Sequence, residues 1–308
     1  MSNPLLRRVV LRDKGVAVTL LNYGAITQSW TVGGVPMVRA LTTGEDYLTD
    51  QFFTGIIAGR VANRTASGRF SLNGARQQLS QNDGPHHLHG GVRGLGKRFW
   101  EMEPDGPQAV RLSYHSPEGE EGYPATVDFT VNIHLSGHTL TYEMAAEPDR
   151  PTPINLTQHN YYTLGGTGPI WGAKLALTAE HATPANAEGI PSGEIVPVAG
   201  TSLDFRTPRA LSPKDAALDA NLLFSKSRAP TTPVATLCTN GYRLQMWSDQ
   251  PGLQLYTGAH LPAPNTAICL EPQAPPNALN QPDFPSIIAT PAQPYRQVLR
   301  VKISKATR

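Results

Sequence analysis

The stretch Val127-Asp128-Phe129-Thr130-Val131-Asn132-Ile133-His134-Leu135 alternates apolar and polar side chains without a break. Successive side chains of a β-strand point to opposite faces, so this pattern predicts a strand with one buried and one hydrated face. The alternation resumes at Leu140, Tyr142 and Met144, after the turn sequence Ser136-Gly137-His138. This region therefore predicts a hairpin of an antiparallel sheet.

Period-two alternation recurs from one end of the chain to the other, at residues 16–20, 110–114, 242–246 and 299–303. Helical periodicity is nearly absent. The best helix candidate is residues 212–224, which begin with a serine that can cap and a proline suited to the first helical turn. Twenty-eight glycines and 28 prolines are spread along the 308 residues rather than gathered in a linker. We predict an all-β protein, a large antiparallel β-sandwich with few short helices, forming a single domain over residues 1–308.

The charge balance argues against polyanionic partners. The chain has 26 basic and 24 acidic residues and a net charge of +2, so no strong field draws it to nucleic acid or to an anionic membrane. The N-terminal segment reaches Arg7, Arg8 and Arg12 before any apolar run develops, and no stretch is apolar enough to span a bilayer. Cys238 and Cys269 lack zinc-site or disulfide spacing and are expected to be reduced and structural. A soluble, cytoplasmic protein without nucleic-acid or membrane partners is expected.

An unusually polar stretch occupies residues 155–166, Asn-Leu-Thr-Gln-His-Asn-Tyr-Tyr-Thr-Leu-Gly-Gly. Amides, a hydroxyl, two tyrosines and His159 in twelve residues are typical of a polar pocket rather than of a core. A lone histidine of this kind is also found as a hydrogen-bonded surface residue. The residues alone leave both interpretations of His159 open.

Arg64 ends a second polar stretch, residues 59–64, and precedes the hairpin turn sequence Asn73-Gly74. Its planar guanidinium could donate to several ligand oxygens at once. A surface salt bridge is the simpler alternative.

Three histidines fall within four residues at His86, His87 and His89. Adjacent residues of an extended chain point apart, so His86 and His87 do not fit a zinc site, and no second ligand pair follows with suitable spacing. His89 stands before Gly90-Gly91, which fits a loop that approaches a ligand closely.

Two carboxylates complete the candidates. Asp204 shares one side of an extended segment with Arg206, which fits either an internal ion pair or a carboxylate that accepts from a ligand hydroxyl. Glu271 ends the apolar run Ile268-Cys269-Leu270 and, in a strand, faces away from Ile268 and Leu270. Periodicity does not decide whether Glu271 is solvated at an edge or held in a pocket.

Seven motifs along the chain, taken together and in order, resemble those of the aldose 1-epimerase (galactose mutarotase) family. They are Asn22-Tyr23-Gly24-Ala25, residues 59–64, Leu88-His89-Gly90-Gly91, residues 155–166, Asp204-Phe205-Arg206, Tyr256-Thr257-Gly258 and Cys269-Leu270-Glu271-Pro272-Gln273. Two positions depart from the family pattern, Gln158 where an asparagine is usual and Tyr162 where a phenylalanine is usual. These departures bear on substrate preference.

The resemblance implies a β-sandwich enzyme that interconverts the α and β anomers of free aldoses without a cofactor or a metal. By position, Glu271 corresponds to the general base and His159 to the general acid. The residues that correspond to ligands of the sugar oxygens, or lie next to them, are Arg64, His89, Asp204, Asn63 and Gln273. The partner is a monosaccharide substrate, and a monomer or homodimer is expected.

The chemistry of a cyclic hemiacetal agrees with this assignment. Ring opening removes the proton of the anomeric hydroxyl and delivers one to the ring oxygen. A glutamate with a usual pKa of about 4.3 is a ready base, and a histidine near about 6.5 can be the acid if a nearby carboxylate raises its pKa.

Two alternatives remain from the sequence. A non-catalytic carbohydrate-binding protein on the same fold has no need of a paired acid and base. A hexose-phosphate 1-epimerase needs extra cations for the phosphate, for which only Arg60, Arg64 and Arg206 lie near the motifs.

Overall fold

Strands dominate the computed structural model of the protein, which describes residues 5–306. They make up 46% of the structure against 6% for helices, and no helix in the described range reaches seven residues. The predicted all-β class is confirmed. No helix in this range is long and apolar enough to cross a membrane. The first four residues of the N-terminal segment considered above lie outside the described residues.

The strands and the short helices follow one another closely along the chain. The strands are β1 Arg8–Asp13, β2 Val16–Leu21, β3 Thr27–Val32, β4 Val35–Pro36, β5 Ile57–Ala58, β6 Arg64–Thr65, β7 Arg69–Leu72, β8 Ala75–Gln78, β9 His87–Leu88, β10 Glu101–Asp105, β11 Ala109–Ser116, β12 Val127–Ser136, β13 Thr139–Pro148, β14 Thr152–Pro153, β15 Thr157–Gln158, β16 Tyr161–Tyr162, β17 Lys174–Leu177, β18 Ala179–Thr183, β19 Val196–Pro197, β20 Arg209–Ala210, β21 Asp219–Phe224, β22 Ala235–Thr239, β23 Tyr242–Ser248, β24 Gly252–Tyr256, β25 Ile268–Gln273, β26 Ile288–Ala289 and β27 Tyr295–Lys305. The 3-10 helices are Glu45–Leu48, Ala66–Gly68, Leu95–Lys97, Glu120–Gly122, Pro213–Asp215 and Ala278–Asn280.

Two large antiparallel sheets share one hydrophobic core. The nine-stranded sheet has the order β10-β11-β12-β13-β27-β23-β22-β17-β20, and the six-stranded sheet has the order β16-β25-β24-β21-β18-β19. Phe129 and Val131 of the first sheet and Leu253 and Leu270 of the second belong to the same cluster of buried side chains. Burying each such side chain contributes roughly 1.5–3 kcal/mol. The predicted β-sandwich is confirmed.

The hairpins predicted from local sequence are present. β12 alternates buried and exposed residues along its whole length, and a turn at Gly137-His138 connects it to β13. Asn73 and Gly74 connect β7 to β8 with φ angles of 51° and 79°. Both angles lie in the left-handed region that a type I′ turn requires.

The helix expected over residues 212–224 is wrong beyond its first turn. Ser212 does begin a 3-10 helix, and its N–H donates to the carboxylate of Asp215 at 2.9 Å. The helix ends at Asp215, and β21 follows and pairs with β24. Backbone pairing with a neighbouring strand outweighs the helix propensity of the intervening alanines. This places Asp219 in a sheet.

The six-stranded sheet turns one face to the core and the other to a cavity. Leu253 and Leu255 of β24 pack in the core, so Gln254 between them faces outward. Leu270 of β25 likewise points inward and Glu271 outward. The antiparallel register places Gln254 directly opposite Glu271.

Candidate active site

Glu271 and His159 meet on the outer face of the six-stranded sheet. Glu271 lies in β25 and is 2% exposed, and His159 follows β15 and is 5% exposed. The peptide N–H of His159 donates to the carbonyl of Ile56, and its carbonyl accepts from the N–H of Gly55, which fixes the backbone at this point. Nε2 of His159 lies 3.6 Å from Oε1 of Glu271. The two residues are brought together as expected for an acid–base pair.

Aromatic and sulfur groups enclose the imidazole of His159. The ring of Tyr161 lies 5.1 Å away between centroids, and the ring of Phe53 lies 6.1 Å away. The ring of His89 approaches edge-on at 5.3 Å. Nδ1 of His159 is 3.6 Å from Sγ of Cys269. These contacts hold the ring so that Nε2 points to Glu271.

Burial sets the protonation of the pair. It raises the pKa of Glu271 well above its usual range, with a further contribution from the negative charge of Asp219. It also lowers the pKa of His159 to about 4. The rise in the pKa of His159 that a nearby carboxylate could have produced is not found, because loss of hydration lowers this pKa. Burial therefore favours the protonated form of Glu271 and leaves His159 uncharged at neutral pH.

Asn63, Arg64 and His89 form a connected group beside His159. The N–H of Asn63 donates to Nδ1 of His89 at 3.3 Å, and Oδ1 of Asn63 accepts from the N–H of Arg64 at 2.8 Å. Nε of Arg64 donates to Oδ2 of Asp83 at 2.7 Å, so the salt bridge considered from the sequence is present. The Arg64 side chain is nevertheless only 22% exposed. It is a partly buried group at the rim of a site rather than a free surface arginine.

Gln273 lies on the same face of β25 as Glu271 and is fully buried. Its Nε2 donates to the carbonyl of Ala274 at 3.4 Å. Oε1 of Gln273 and Oε2 of Glu271 have no hydrogen-bond partner among residues 5–306. A buried polar atom without a partner destabilises a fold by about 1–3 kcal/mol, so two of them side by side indicate a ligand site.

The two departures from the family pattern lie behind the pair. Gln158 is buried, and its side chain bridges the carbonyl of Gly55 and the N–H of Asn160. Tyr162 belongs to the main hydrophobic cluster. Gln158 therefore stiffens the segment that carries His159, and Tyr162 fills the core.

A cavity of about 730 Å³ opens over the strands next to Glu271. Arg64, Asp219, Asn221 and Gln254 are part of its wall. Nε2 of Gln254 donates to Oδ1 of Asp219 at 2.6 Å. Nδ2 of Asn221 and Oε1 of Gln254 have no partner in the described part of the chain. The cavity therefore offers charged groups, donors and acceptors beside the buried pair, as a small polar ligand requires.

Comparison with known proteins identifies the group to which this arrangement belongs. The family model described as aldose 1-epimerase matches residues 7–302. The chain belongs to the aldose 1-epimerase family. It is similar to the galactose mutarotase of Rattus norvegicus, with 35% identity over 285 residues that cover 85% of this chain and 82% of the relative. It is also similar to the aldose 1-epimerase of Haemophilus influenzae, with 31% identity covering 88% of this chain and 87% of the relative.

Solved structures of related epimerases have the same fold. An aldose epimerase homologue from C. elegans superimposes with a TM-score of 0.92 at 27% identity, covering 98% of this chain and all of the other. A galactose 1-epimerase from Lactobacillus acidophilus gives a TM-score of 0.87 at 27% identity, covering 98% of this chain and 95% of the other. Like the other aldose 1-epimerases, the protein is an isomerase.

Asp204 of this epimerase is bound by a neighbouring arginine. Its carboxylate accepts from Nε and Nη2 of Arg206 at 2.9 and 2.8 Å. The resulting charge-assisted hydrogen bonds hold the pKa of Asp204 well below its usual range. Asp204 is not part of the cavity wall described above. The ion pair with Arg206, one of the two interpretations open from the sequence, is the arrangement found.

Asp219 is the carboxylate that sequence reasoning missed. It faces the cavity, binds Gln254, and is close enough to Glu271 to influence its pKa. The alternation of Asp219 and Asn221 with Ala220 and Leu222 was the available signal. It was overlooked because the segment was assigned to a helix.

The histidines at 86, 87 and 89 turn to different partners. Nδ1 of His87 contacts the carbonyl of Ser80, and its Nε2 contacts the hydroxyl of Tyr123, both at 2.6 Å. Nδ1 of His86 accepts from the N–H of Ser67 at 3.1 Å.

Among the described residues, one group of three donors lies close enough to hold a metal ion. These donors are His159, Cys269 and Glu271, whose ligand atoms lie within 4.8 Å of one another. Two of these three donors, Glu271 and His159, are the base and the acid that the family resemblance implies.

Proposed function

We propose that the protein interconverts the α and β anomers of free aldohexoses such as galactose and glucose, with Glu271 as general base and His159 as general acid. The observation that carries the proposal is the buried approach of Nε2 of His159 to Oε1 of Glu271 at 3.6 Å. The names of the relatives support galactose as one substrate.

Ring opening requires the charged form of the pair. The Glu271 carboxylate takes the proton from the anomeric hydroxyl, and Nε2 of His159 gives a proton to the ring oxygen as the bond from C1 to that oxygen breaks. The products are the open-chain aldehyde, protonated Glu271 and neutral His159. Rotation about the C1–C2 bond and reversal of both transfers yield the other anomer.

The pKa shifts favour the open-chain stage of this cycle. Burial favours protonated Glu271 and neutral His159, and this is the protonation state that accompanies the aldehyde. The buried pair therefore stabilises the open-chain intermediate relative to the cyclic sugar bound to a charged pair. Positioned proton transfer of this kind contributes roughly two to four orders of magnitude in rate.

The cavity wall supplies ligands for the remaining hydroxyls. Arg64 donates, Asp219 accepts, and Gln254 offers an unpartnered acceptor atom. A further unpartnered acceptor, Oε1 of Gln273, lies outside this wall on β25, the strand of Glu271. His89 and Asn63 complete the site beside His159. In this proposal Asp219 takes the role first expected of Asp204.

The arginine contacts favour a free sugar over a hexose phosphate. Arg60 is 2% exposed and donates to Ser116 and to the carbonyls of Pro124 and Ala125. Its guanidinium is therefore committed to the fold, and Arg206 is committed to Asp204. Of the three candidates only Arg64 lines the cavity. A non-catalytic sugar-binding protein is disfavoured because such a protein needs hydroxyl ligands but no buried acid–base pair.

The cytoplasmic location expected from the sequence is part of the same proposal.

Polarimetry tests the proposal. We expect the purified protein to accelerate the decay of optical rotation of freshly dissolved α-D-galactose and α-D-glucose. A protein that accelerates only hexose 6-phosphates would support the phosphate enzyme instead. Sugar binding without any acceleration would support the non-catalytic alternative.

A further inference from the structure

The guanidinium of Arg64 is held from two sides. On one side Oδ2 of Asp83 accepts from Nε at 2.7 Å. On the other side lies the backbone of Gly189, where an added Cβ would stand 2.7 Å from Nη1 and 3.0 Å from Cζ of Arg64. The first distance is shorter than real Cβ contacts, and the second is tighter than most of them. The arginine therefore occupies space that only a glycine at position 189 leaves free.

Gly189 belongs to a tight turn with its own supports. Oδ1 of Asn186 accepts from the N–H groups of Glu188 and Ile190, each at 3.0 Å. The N–H of Gly189 donates to the carbonyl of Asn186 at 3.0 Å. The φ angle of Gly189 is +75°, in the left-handed region. Oε2 of Glu188 lies 3.4 Å from Nε2 of His86, which also lines the cavity.

We propose that Asp83 and Gly189 are positioning residues that fix Arg64 for substrate binding, and this inference rests on the proposed function. Asp83 accepts a hydrogen bond from the Nε–H of Arg64. Neither Nη atom of Arg64 donates to another residue within the described range. The four Nη–H donors are thus left for a ligand in the cavity that Arg64 lines. Because an arginine loses rotamer entropy when it is ordered, prior ordering lets the ligand bind more tightly.

A matched pair of glycine substitutions tests the inference. Gly189→Ala introduces a methyl group against Arg64. Gly200→Ala is the control, because Gly200 has almost the same φ of +74° and nothing lies within 4 Å of an added Cβ. Both alanines therefore carry similar backbone strain, and only one of them displaces the guanidinium. Thermal melting of both variants checks that they fold alike.

We expect Gly189→Ala to raise KM for galactose about fivefold with kcat changed less than about twofold, and Gly200→Ala to leave both unchanged. In an Arg64→Ala background, Gly189→Ala should add nothing further, because the group it displaces is gone. If Gly189→Ala does not fold, Asp83→Asn in the same two backgrounds replaces it, with a rise in KM of about threefold expected only when Arg64 is present.

The outcomes separate this inference from the proposed function. If Arg64→Ala leaves KM unchanged, Arg64 is not a substrate ligand, and both the assignment of Arg64 and the positioning role fail. If Arg64→Ala raises KM while Gly189→Ala and Asp83→Asn do not, the positioning role alone is refuted. A KM effect of Gly189→Ala that persists without Arg64 also refutes it.

Discussion

Glu271 and Asp204 are both candidate site residues in the sequence, but the structure places their carboxylates in opposite environments. Glu271 is 2% exposed, keeps one oxygen without a partner, and has a raised pKa. Asp204 is partly exposed, has a bidentate arginine partner, and has a lowered pKa. A carboxylate engaged by an arginine is a fixed anion, whereas a buried one without such a partner can gain and lose a proton during a reaction. Environment, not residue type, distinguishes the proposed base from the carboxylate bound by an arginine.

Apart from substitutions of the two carboxylates themselves, replacing His159, the partner of Glu271, should have the largest effect on the rate. His159→Asn removes the group that gives its proton to the ring oxygen, so kcat should fall about a hundredfold or more. Polarimetry with galactose measures the fall, and His115→Asn is the control because His115 pairs with Asp128 on the exposed surface. Full activity in His159→Asn with the protein folded would move the acid elsewhere, with His89 next in line.

The pH dependence of the rate follows from the shifted pKa values of His159 and Glu271. On the acid side, His159 with its pKa of about 4 takes up a second proton, so the rate should fall about tenfold for each unit below that value. On the alkaline side, the rate should fall only once the pH passes the raised pKa of Glu271. The ionisable groups next to the pair are Cys269, His89 and Asp219. A plot of log kcat against pH measures both limbs. A fall in rate that begins near pH 6 as the solution is acidified would contradict an uncharged His159.

Substitutions of Asp219 and Asp204 extend the comparison to substrate binding. Asp219→Asn should raise KM for galactose about fivefold, because it removes a charged acceptor from the cavity wall. Asp204→Asn should leave KM within error, since both carboxylate oxygens of Asp204 are already bound by Arg206. Initial rates in an assay coupled to an anomer-specific dehydrogenase measure both. The opposite ranking would return the ligand role to Asp204.

The smallest expected effect is on stability. The folded-state pKa of Glu271 is raised, so its contribution to stability is complete below the unfolded value near 4.5 and is lost as the pH rises through the folded value. Glu271→Gln should therefore melt with wild type at pH 4 and roughly 2–4 °C higher at pH 8. The pKa of Asp204 is lowered, so its contribution is present above about 3.8 and is lost on acidification. Asp204→Asn should melt slightly below wild type at pH 8 and equal to it in acid, as differential scanning calorimetry can check.

Local sequence was sufficient for much of the fold. The alternation at residues 127–135 and the Asn73-Gly74 turn depend on neighbours in the chain, and both appear as predicted. The supposed helix at residues 212–224 was wrong because strand pairing between β21 and β24 decides that segment, and such pairing is not visible in a short stretch.

The site was harder to predict from the residues alone. Periodicity left Glu271 either at an edge or in a pocket, and only the family resemblance paired it with His159. The acidic residue of the cavity depends on the register of β21, β24 and β25, which brings Asp219 to Gln254 and Gln254 to Glu271. Because these contacts join distant parts of the chain, sequence reasoning did not find Asp219.

The most direct test of the central claim is kcat for α-D-galactose measured by polarimetry on Glu271→Gln and Asp204→Asn side by side. The loss of the base predicts a fall of about a thousandfold in Glu271→Gln and a rate within about twofold of wild type in Asp204→Asn. A folded Glu271→Gln protein that retains the wild-type rate would contradict the account.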